Sequence, residues 1–159
     1  FMAEPVKKSF RLFPGNEVRF KSAYFIKCNS YETDENGNVT CLHCTYDPES
    51  RGGNSPDGRK VKGTIHWVNA NDCKQCEVRL YDRLFSAEEP GKNGDYFDDL
   101  NPDSLEVIEN CLLEGGFENA KPGDTFQFMR NGYFCVDKDS TEDKLVFNRT
   151  VALNSSWGK

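Results

Sequence analysis

The chain has 159 residues and a formal net charge of −6 at pH 7, a length that suits one ordinary domain or two small ones. No apolar run is long enough to cross a membrane, so the sequence predicts no membrane contact. The acidic total excludes a nucleic-acid binder that is basic all over. The charge is segregated, however, because residues 1–25 carry a net +3 and residues 86–110 a net −7. One face can therefore meet phosphate while another stays in solvent.

The first half of the chain predicts strands joined by turns. Residues 17–28 alternate polar and apolar side chains, which indicates one long half-buried strand. Residues 34–37 form a hairpin turn in which Asn36-Gly37 supplies positive φ, and a return strand follows over 38–46. A loop rich in glycine and proline then leads to an apolar strand at 63–68.

The second half predicts further short strands, and its acidic segment 86–100 is expected to be an exposed connection. Asn131-Gly132 is the strongest short hairpin signal of the chain. The strands are expected at 77–85, 105–113, 125–130, 133–137 and 144–153. Many short strands with close turns predict an all-β fold, as one barrel or a pair of barrels.

Four of the seven cysteines form two CxxC pairs, Cys41 with Cys44 and Cys73 with Cys76, which is the usual ligand spacing of structural zinc. The first pair lies in the predicted return strand, where side chains three apart point to opposite faces; Cys76 directly precedes the strand predicted at 77–85. Cys44 is therefore expected to be a small buried hydrophobe, and Cys76 to follow the alternation of its strand. We predict no metal site, and a zinc-stapled structural or interaction domain remains as an alternative. The odd number of cysteines favours free thiols in a reducing cytosol.

Catalysis has little support in the sequence. His43 and His66 are the two histidines, and neither lies beside a serine or cysteine nucleophile in a recognisable arrangement. There is no phosphate-binding glycine loop before a helix. We therefore predict no catalytic residue in this chain.

Basic and amide side chains placed among aromatic residues carry the best functional signal. Single-stranded RNA recognition uses planar or amide donors for base edges, cations for phosphates and apolar faces for splayed bases. Five candidates flank or frame aromatic residues: Arg11, Arg19, Lys21, Gln127 and Arg130.

Long ordered segments make the chain resemble the C-terminal anticodon-binding region of glutaminyl-tRNA synthetases. The opening match is the string DGRKVKGTIHWV at residues 57–68. The other matches are residues 11–24, 77–85, 101–105, 126–128, 132–137, 146–151 and Trp157.

The resemblance implies two adjoining β-barrels with an anticodon loop whose bases are splayed into separate pockets. Arg11 matches the arginine that reads the third anticodon base, and Gln127 and Arg130 match the residues that recognise the middle uridine. Arg19 and Lys21 match the basic pair near the first base. Some relatives have arginine where this chain has Lys21, and a lysine cannot make the bidentate contact. Lys7 or Lys8 is expected to help hold the RNA backbone or the first anticodon base, which would add a fifth cation.

The same resemblance places residues 1–159 as a C-terminal fragment in which the first barrel is incomplete. The catalytic domain, which uses ATP with magnesium, is then expected elsewhere in a cytoplasmic and monomeric parent enzyme. The fragment itself is expected to need no cofactor and to bind a glutamine-specific tRNA. Cut strand edges make self-association plausible. The anticodon-binding domain of a glutamyl-type synthetase is the alternative within the same fold.

Overall fold

A computed structural model describes residues 1–6 and 9–153, divided into two compact units, Phe1–Trp67 and Val68–Lys159. We call them unit 1 and unit 2. Lys7, Lys8 and Trp157 lie outside the described residues. Within the described part of the chain, no helix is long and apolar enough to cross a membrane.

Unit 1 contains one four-stranded sheet with the order β3-β2-β1-β4. Its pairs are antiparallel except for β1 and β4, which run parallel. A 3₁₀ turn at Pro48–Ser50 follows the third strand. The strands are β1 (Glu17–Phe20), β2 (Phe25–Thr33), β3 (Val39–Asp47) and β4 (Thr64–Ile65).

The prediction of one strand over residues 17–28 is wrong, because the chain folds back at Lys21 and Ser22. The backbone N–H of Phe20 donates to the oxygen of Tyr24 over 2.9 Å, and β1 then pairs with β2. Ser22 has a φ of 59°, a conformation that usually selects glycine. No glycine or proline marks this turn, and the alternation continues through it, so the pattern hides the reversal.

The hairpin turn at 34–37 is confirmed, and Gly37 has the positive φ of 80° that the turn requires. Asn36 does not share the positive φ. The predicted strand at 63–68 shrinks to the two residues of β4. Gly63 just before it approaches Phe10 so closely that an added Cβ would lie 2.2 Å from the Phe10 carbonyl oxygen.

The core of unit 1 is small. Leu12, Val18 and Cys28 are buried together, and Leu42 and Ile65 pack against them. Phe25 is also buried, and its backbone N–H donates to the Ser50 hydroxyl over 2.8 Å. That bond joins the start of β2 to the 3₁₀ turn.

Unit 2 contains a five-stranded sheet with the order β6-β5-β9-β8-β7, in which β5 and β9 run parallel. A 3₁₀ turn lies at Tyr96–Asp99. The strands are β5 (Lys74–Tyr81), β6 (Leu105–Leu113), β7 (Thr125–Phe128), β8 (Gly132–Val136) and β9 (Leu145–Ala152).

The strand predicted at 105–113 is confirmed at both ends, and those at 125–130, 133–137 and 144–153 are confirmed with slightly different bounds. The strand predicted at 77–85 begins earlier, at Lys74, and ends at Tyr81. Phe85 instead makes an isolated antiparallel bridge to Leu100, which folds the acidic segment back on itself.

An aromatic cluster forms the centre of unit 2. Phe147 is fully buried, and the rings of Phe117, Phe126 and Phe128 pack around it with centroids 5.1–6.4 Å away. The predicted all-β class is therefore confirmed, with two sheets whose strand order is open at both ends among the described residues. Open sheets of this kind fit partial barrels better than closed ones.

Candidate nucleic-acid interface

The β1–β2 turn presents Lys21 with its backbone held on both sides. Its N–H donates to the oxygen of Ile65 over 2.9 Å, and its own oxygen accepts from Trp67 Nε1 over 3.0 Å. Trp67 in turn stacks on Phe20 with ring centroids 5.7 Å apart. The Lys21 side chain is exposed and has no hydrogen bond or ion pair with any described residue. A fixed backbone with an unengaged ammonium is suited to an external phosphate or base.

Arg19 is half-buried and closely packed. Its Cδ lies so near Gly53 that a Cβ there would be 2.8 Å away, and its guanidinium carbon is 5.3 Å from the Phe25 ring centroid. The Arg19 Nε is buried and has no partner among the described residues. A buried donor without a partner is costly, and a bound acceptor would remove that cost.

Arg11 lies on a bend whose backbone is held by Asn16. The Asn16 amide donates to the oxygen of Arg11 over 3.2 Å and accepts from the N–H of Phe13 over 2.7 Å. The Arg11 side chain is exposed, without a hydrogen bond or ion pair to the residues that the structure describes. It is therefore available to a ligand.

Arg59 shows the opposite arrangement, although the sequence places it in the same basic cluster as Lys60 and Lys62. Its guanidinium donates to Glu17, Asp47 and Asp57. The hydrogen bonds that Arg59 donates to Glu17, and then those to Asp47 and Asp57, raise the pKa of Arg59. Hydrogen bonds from the Ser55 hydroxyl and from Arg59 lower the pKa of Asp57 to about 2. Arg59 is thus a structural clamp between β1, the end of β3 and the following loop.

A groove of about 320 Å³ lies in unit 1 beside this clamp. Phe10, Phe13, Lys60 and Lys62 contribute to its walls, and the Lys62 ammonium is 5.7 Å from the Phe10 ring centroid. Exposed rings next to cations are the combination that holds a stacked base and its phosphate. Lys60, Lys62 and Phe10 were not among the candidate residues predicted from the sequence. The string at residues 57–68 contains Lys60 and Lys62 and is the signal that would have found those two residues.

The β7–β8 hairpin of unit 2 carries Gln127 and Arg130. Gln127 is exposed and opposes Tyr133 across the two strands, while Phe126 and Phe128 on either side of it pack on the aromatic core. An exposed amide therefore lies beside an exposed aromatic ring, since Tyr133 is 46% exposed.

The hairpin turn differs from the one predicted. Gly132 pairs with Phe128 inside the ladder, so the turn consists of residues 129–131 and not of Asn131-Gly132 alone. The N–H of Asn131 donates to the oxygen of Phe128 over 2.9 Å. Arg130, at the tip, has a φ of 69°. Strained non-glycine backbone often marks a functional position.

The five predicted site residues therefore fall into two groups. Arg11, Arg19 and Lys21 belong to unit 1, and Gln127 and Arg130 share one hairpin of unit 2.

The CxxC cysteines do not share one environment. Cys44 is exposed, so the prediction that it is a buried hydrophobe is wrong. It pairs with the buried Cys28, but it belongs to β3, which is the edge strand of the sheet. Cys76 is buried in the core of unit 2, as predicted, and burial raises the pKa of its thiol to about 11. A core thiol that resists deprotonation is a poor zinc ligand.

Comparison with known proteins identifies the family to which the chain belongs. Residues 7–47 match one family model and residues 64–137 a second, and both are described as the anti-codon binding domain of class I tRNA synthetases (E and Q). The two matches together take in most of the chain. The chain belongs to this family of anticodon-binding domains.

Within the family, the chain is similar to glutamine–tRNA ligases. It is 52% identical to the one from Clostridioides difficile (strain 630), over 99% of this chain and 29% of that relative. The Clostridium perfringens protein is 53% identical, with the same coverage, and the Nitrobacter winogradskyi protein is 49% identical over 100% of this chain and 28% of that relative. The chain thus spans less than a third of these relatives and matches their C-terminal region.

Proposed function

We propose that this chain recognises the anticodon loop of a glutamine-specific tRNA on behalf of an enzyme that joins glutamine to that tRNA. The observation that carries the proposal is the match of about half of all residues, over the whole chain, to glutamine–tRNA ligases. The exposed side chains of Arg11, Lys21 and Gln127 support it.

Each predicted residue then has a chemical role. Arg11 offers a planar donor set to the third anticodon base, and Gln127 with Arg130 hydrogen-bonds the middle uridine. Arg19 and Lys21 contact the first base or its phosphate. A wrong base would leave such donors buried and unpaired, at a cost of about 1–3 kcal/mol each. Specificity would follow from that cost, and affinity from the phosphate contacts.

The groove of unit 1 extends this surface. Phe10 provides a ring on which a splayed base can stack, and Lys60 and Lys62 lie where the adjoining phosphates would be neutralised. We propose that these residues hold the loop without selecting its sequence.

The catalytic step belongs to other parts of the parent enzyme. We propose that ATP and magnesium act there, that the parent works as a monomer in the cytoplasm, and that the present chain supplies recognition only.

Binding of anticodon stem-loops by single-site variants tests these roles. Arg11→Ala should reduce the preference for the cognate third base, and Gln127→Ala should reduce the preference for the middle uridine. Lys92→Ala is the matched control, because Lys92 is an exposed cation paired with Glu89. Equal loss of affinity for cognate and altered loops in both variants would contradict the reading roles.

Exchanging the third anticodon base of the stem-loop distinguishes a glutaminyl-type domain from a glutamyl-type domain. Glutamine and glutamate anticodons share a middle uridine and differ at the third base. A preference for the glutamate loop would overturn the glutamine assignment and leave the anticodon-binding role intact.

A further inference from the structure

The β2–β3 hairpin of unit 1 carries three side chains of different chemistry on one face. Glu32 is directly opposite Cys41, and His43 lies two residues further along β3. The register between these strands is regular from the Ser30–His43 pair to the Glu32–Cys41 pair. Residues two apart on a strand, and residues directly opposite each other, project to the same side of a sheet. The three side chains therefore converge.

The distances match a coordination site. One potential ligand atom from each side chain lies within 4.8 Å of the other two, and His43 Nε2 is 2.6 Å from Glu32 Oε1. Tetrahedral zinc with bonds of about 2.0–2.3 Å keeps its ligand atoms about 3.3–3.8 Å apart. Small side-chain rotations would close the remaining difference. The three side chains are exposed, so an ion can reach them.

The backbone beneath the cluster is well held. Asp34 accepts hydrogen bonds from the N–H groups of Asn36 and Asn38, over 2.9 and 2.8 Å, and from the Asn38 amide over 2.9 Å. Those bonds fix the turn that joins the two strands, and one register shift, between Glu32 and Thr33, separates the turn from the regular stretch that carries the cluster.

We propose that Glu32, Cys41 and His43 form a zinc site with water as the fourth ligand. Thiolate and imidazole select zinc over magnesium or calcium, which prefer oxygen. On binding, the Cys41 thiol loses its proton to solvent, His43 coordinates as the neutral imidazole, and Glu32 gives up its hydrogen bond to His43. Because the ligands come from both strands, a bound ion ties β2 to β3.

This site is distinct from a staple made by the two CxxC pairs. It uses one cysteine of the first pair and none of the second, and it takes a carboxylate that no cysteine spacing predicts. Metal binding also distinguishes the two sites, because binding at Glu32, Cys41 and His43 should persist when Cys73 or Cys76 is replaced.

Cobalt titration of the reduced full chain tests the site, with zinc competition as confirmation. One equivalent of Co²⁺ should produce a thiolate-to-cobalt charge-transfer band and the intense visible bands of four-coordinate cobalt, both removed by Zn²⁺. Cys41→Ser should abolish the charge-transfer band. Glu32→Gln and His43→Gln should weaken binding at least about tenfold, since even residues behind the ligands cost that much.

Two cysteine variants are the controls. Cys73→Ser and Cys44→Ser should leave the cobalt spectrum and affinity unchanged, and zinc should raise the thermal midpoint of both proteins as it does that of the unaltered chain. The absence of a charge-transfer band at saturating cobalt would overturn the proposal. A charge-transfer band that persists in Cys41→Ser, or that is lost in Cys73→Ser or Cys44→Ser, would also overturn it. An affinity for cobalt that Glu32→Gln leaves unchanged would do the same.

Discussion

At the scale of single residues, a cation's internal partners distinguish a structural role from a binding role. Arg59 donates to three carboxylates, whereas Arg11 and Lys21 have no partner among the described residues. In the sequence these residues carry the same charge, and Arg59 lies within the string at 57–68 that gives the opening family match. Only the fold shows that its donors are already used.

The variant Arg130→Gly distinguishes the effect of backbone strain on stability from the effect of the Arg130 side chain on recognition of the middle uridine. A positive φ costs a non-glycine residue roughly 1–2 kcal/mol, and the extra chain entropy of glycine costs roughly 0.5–1 kcal/mol. The free energy of unfolding should therefore rise by no more than about 1.5 kcal/mol. The preference for the middle uridine should fall, because the guanidinium is gone. Chemical denaturation and stem-loop binding measure the two effects.

Arg130→Ala is the matched variant for that prediction. It loses the same guanidinium but keeps a Cβ at positive φ, so it should lose the same preference and be less stable than Arg130→Gly. If Arg130→Gly bound the cognate loop with undiminished preference, the reading role of this residue would be wrong.

At the scale of elements, the sequence predicted strands best where their ends carry turn chemistry. Residues 105–113 follow Asn101-Pro-Asp-Ser, and β6 has those bounds. The β1–β2 reversal was missed because Ser22 supplies a positive φ without glycine. The turn predicted at Asn131-Gly132 lies instead at residues 129–131, because Gly132 is needed within the ladder, where a Cβ would lie 2.5 Å from the Val151 oxygen.

The Arg59 clamp predicts an acid-dependent stability of unit 1. Hydrogen bonds from Arg59 lower the pKa of Asp47 in the folded state, and those from Ser55 and Arg59 lower that of Asp57 from 3.8 to about 2. A lowered folded pKa means that the unfolded chain binds protons first. The clamp therefore contributes fully above pH 3.8, and its contribution is lost as the pH falls towards 2.

Arg59→Leu should lower the thermal midpoint at neutral pH and flatten its decline between pH 4 and pH 2. Some decline should remain, because Ser55 still bonds Asp57. Lys92→Leu removes an exposed cation from a single surface pair and should leave both the midpoint and its pH dependence nearly unchanged. Parallel pH curves for Arg59→Leu and the unaltered chain would contradict the clamp.

At the scale of the whole molecule, an acidic protein is expected to bind RNA because its charge is segregated along the chain. The first family match lies within unit 1, and the second begins in the last four residues of unit 1 and continues through unit 2 to residue 137. The all-β class could be predicted because many short strands alternate with close turns, and the five candidate residues stay predictions from their aromatic neighbours and from the family resemblance. The groove and the Glu32–Cys41–His43 cluster could not be predicted, since both depend on which strands pair and in what register.

Salt dependence tests the charge argument. If Lys62 neutralises a phosphate in the groove, Lys62→Ala should reduce the slope of log affinity against log salt by about 0.7. Lys92→Ala, which removes a cation from the acidic segment, should leave the slope unchanged. An identical slope in both variants and the unaltered chain would remove Lys62 from the interface.

The most direct test of the central claim is the affinity of the unaltered chain for a glutamine-specific anticodon stem-loop, measured at moderate salt beside loops altered at each anticodon base in turn. Anticodon recognition predicts that the cognate loop binds best and that each altered base loses about 1–3 kcal/mol. Equal affinity for all four loops would contradict it.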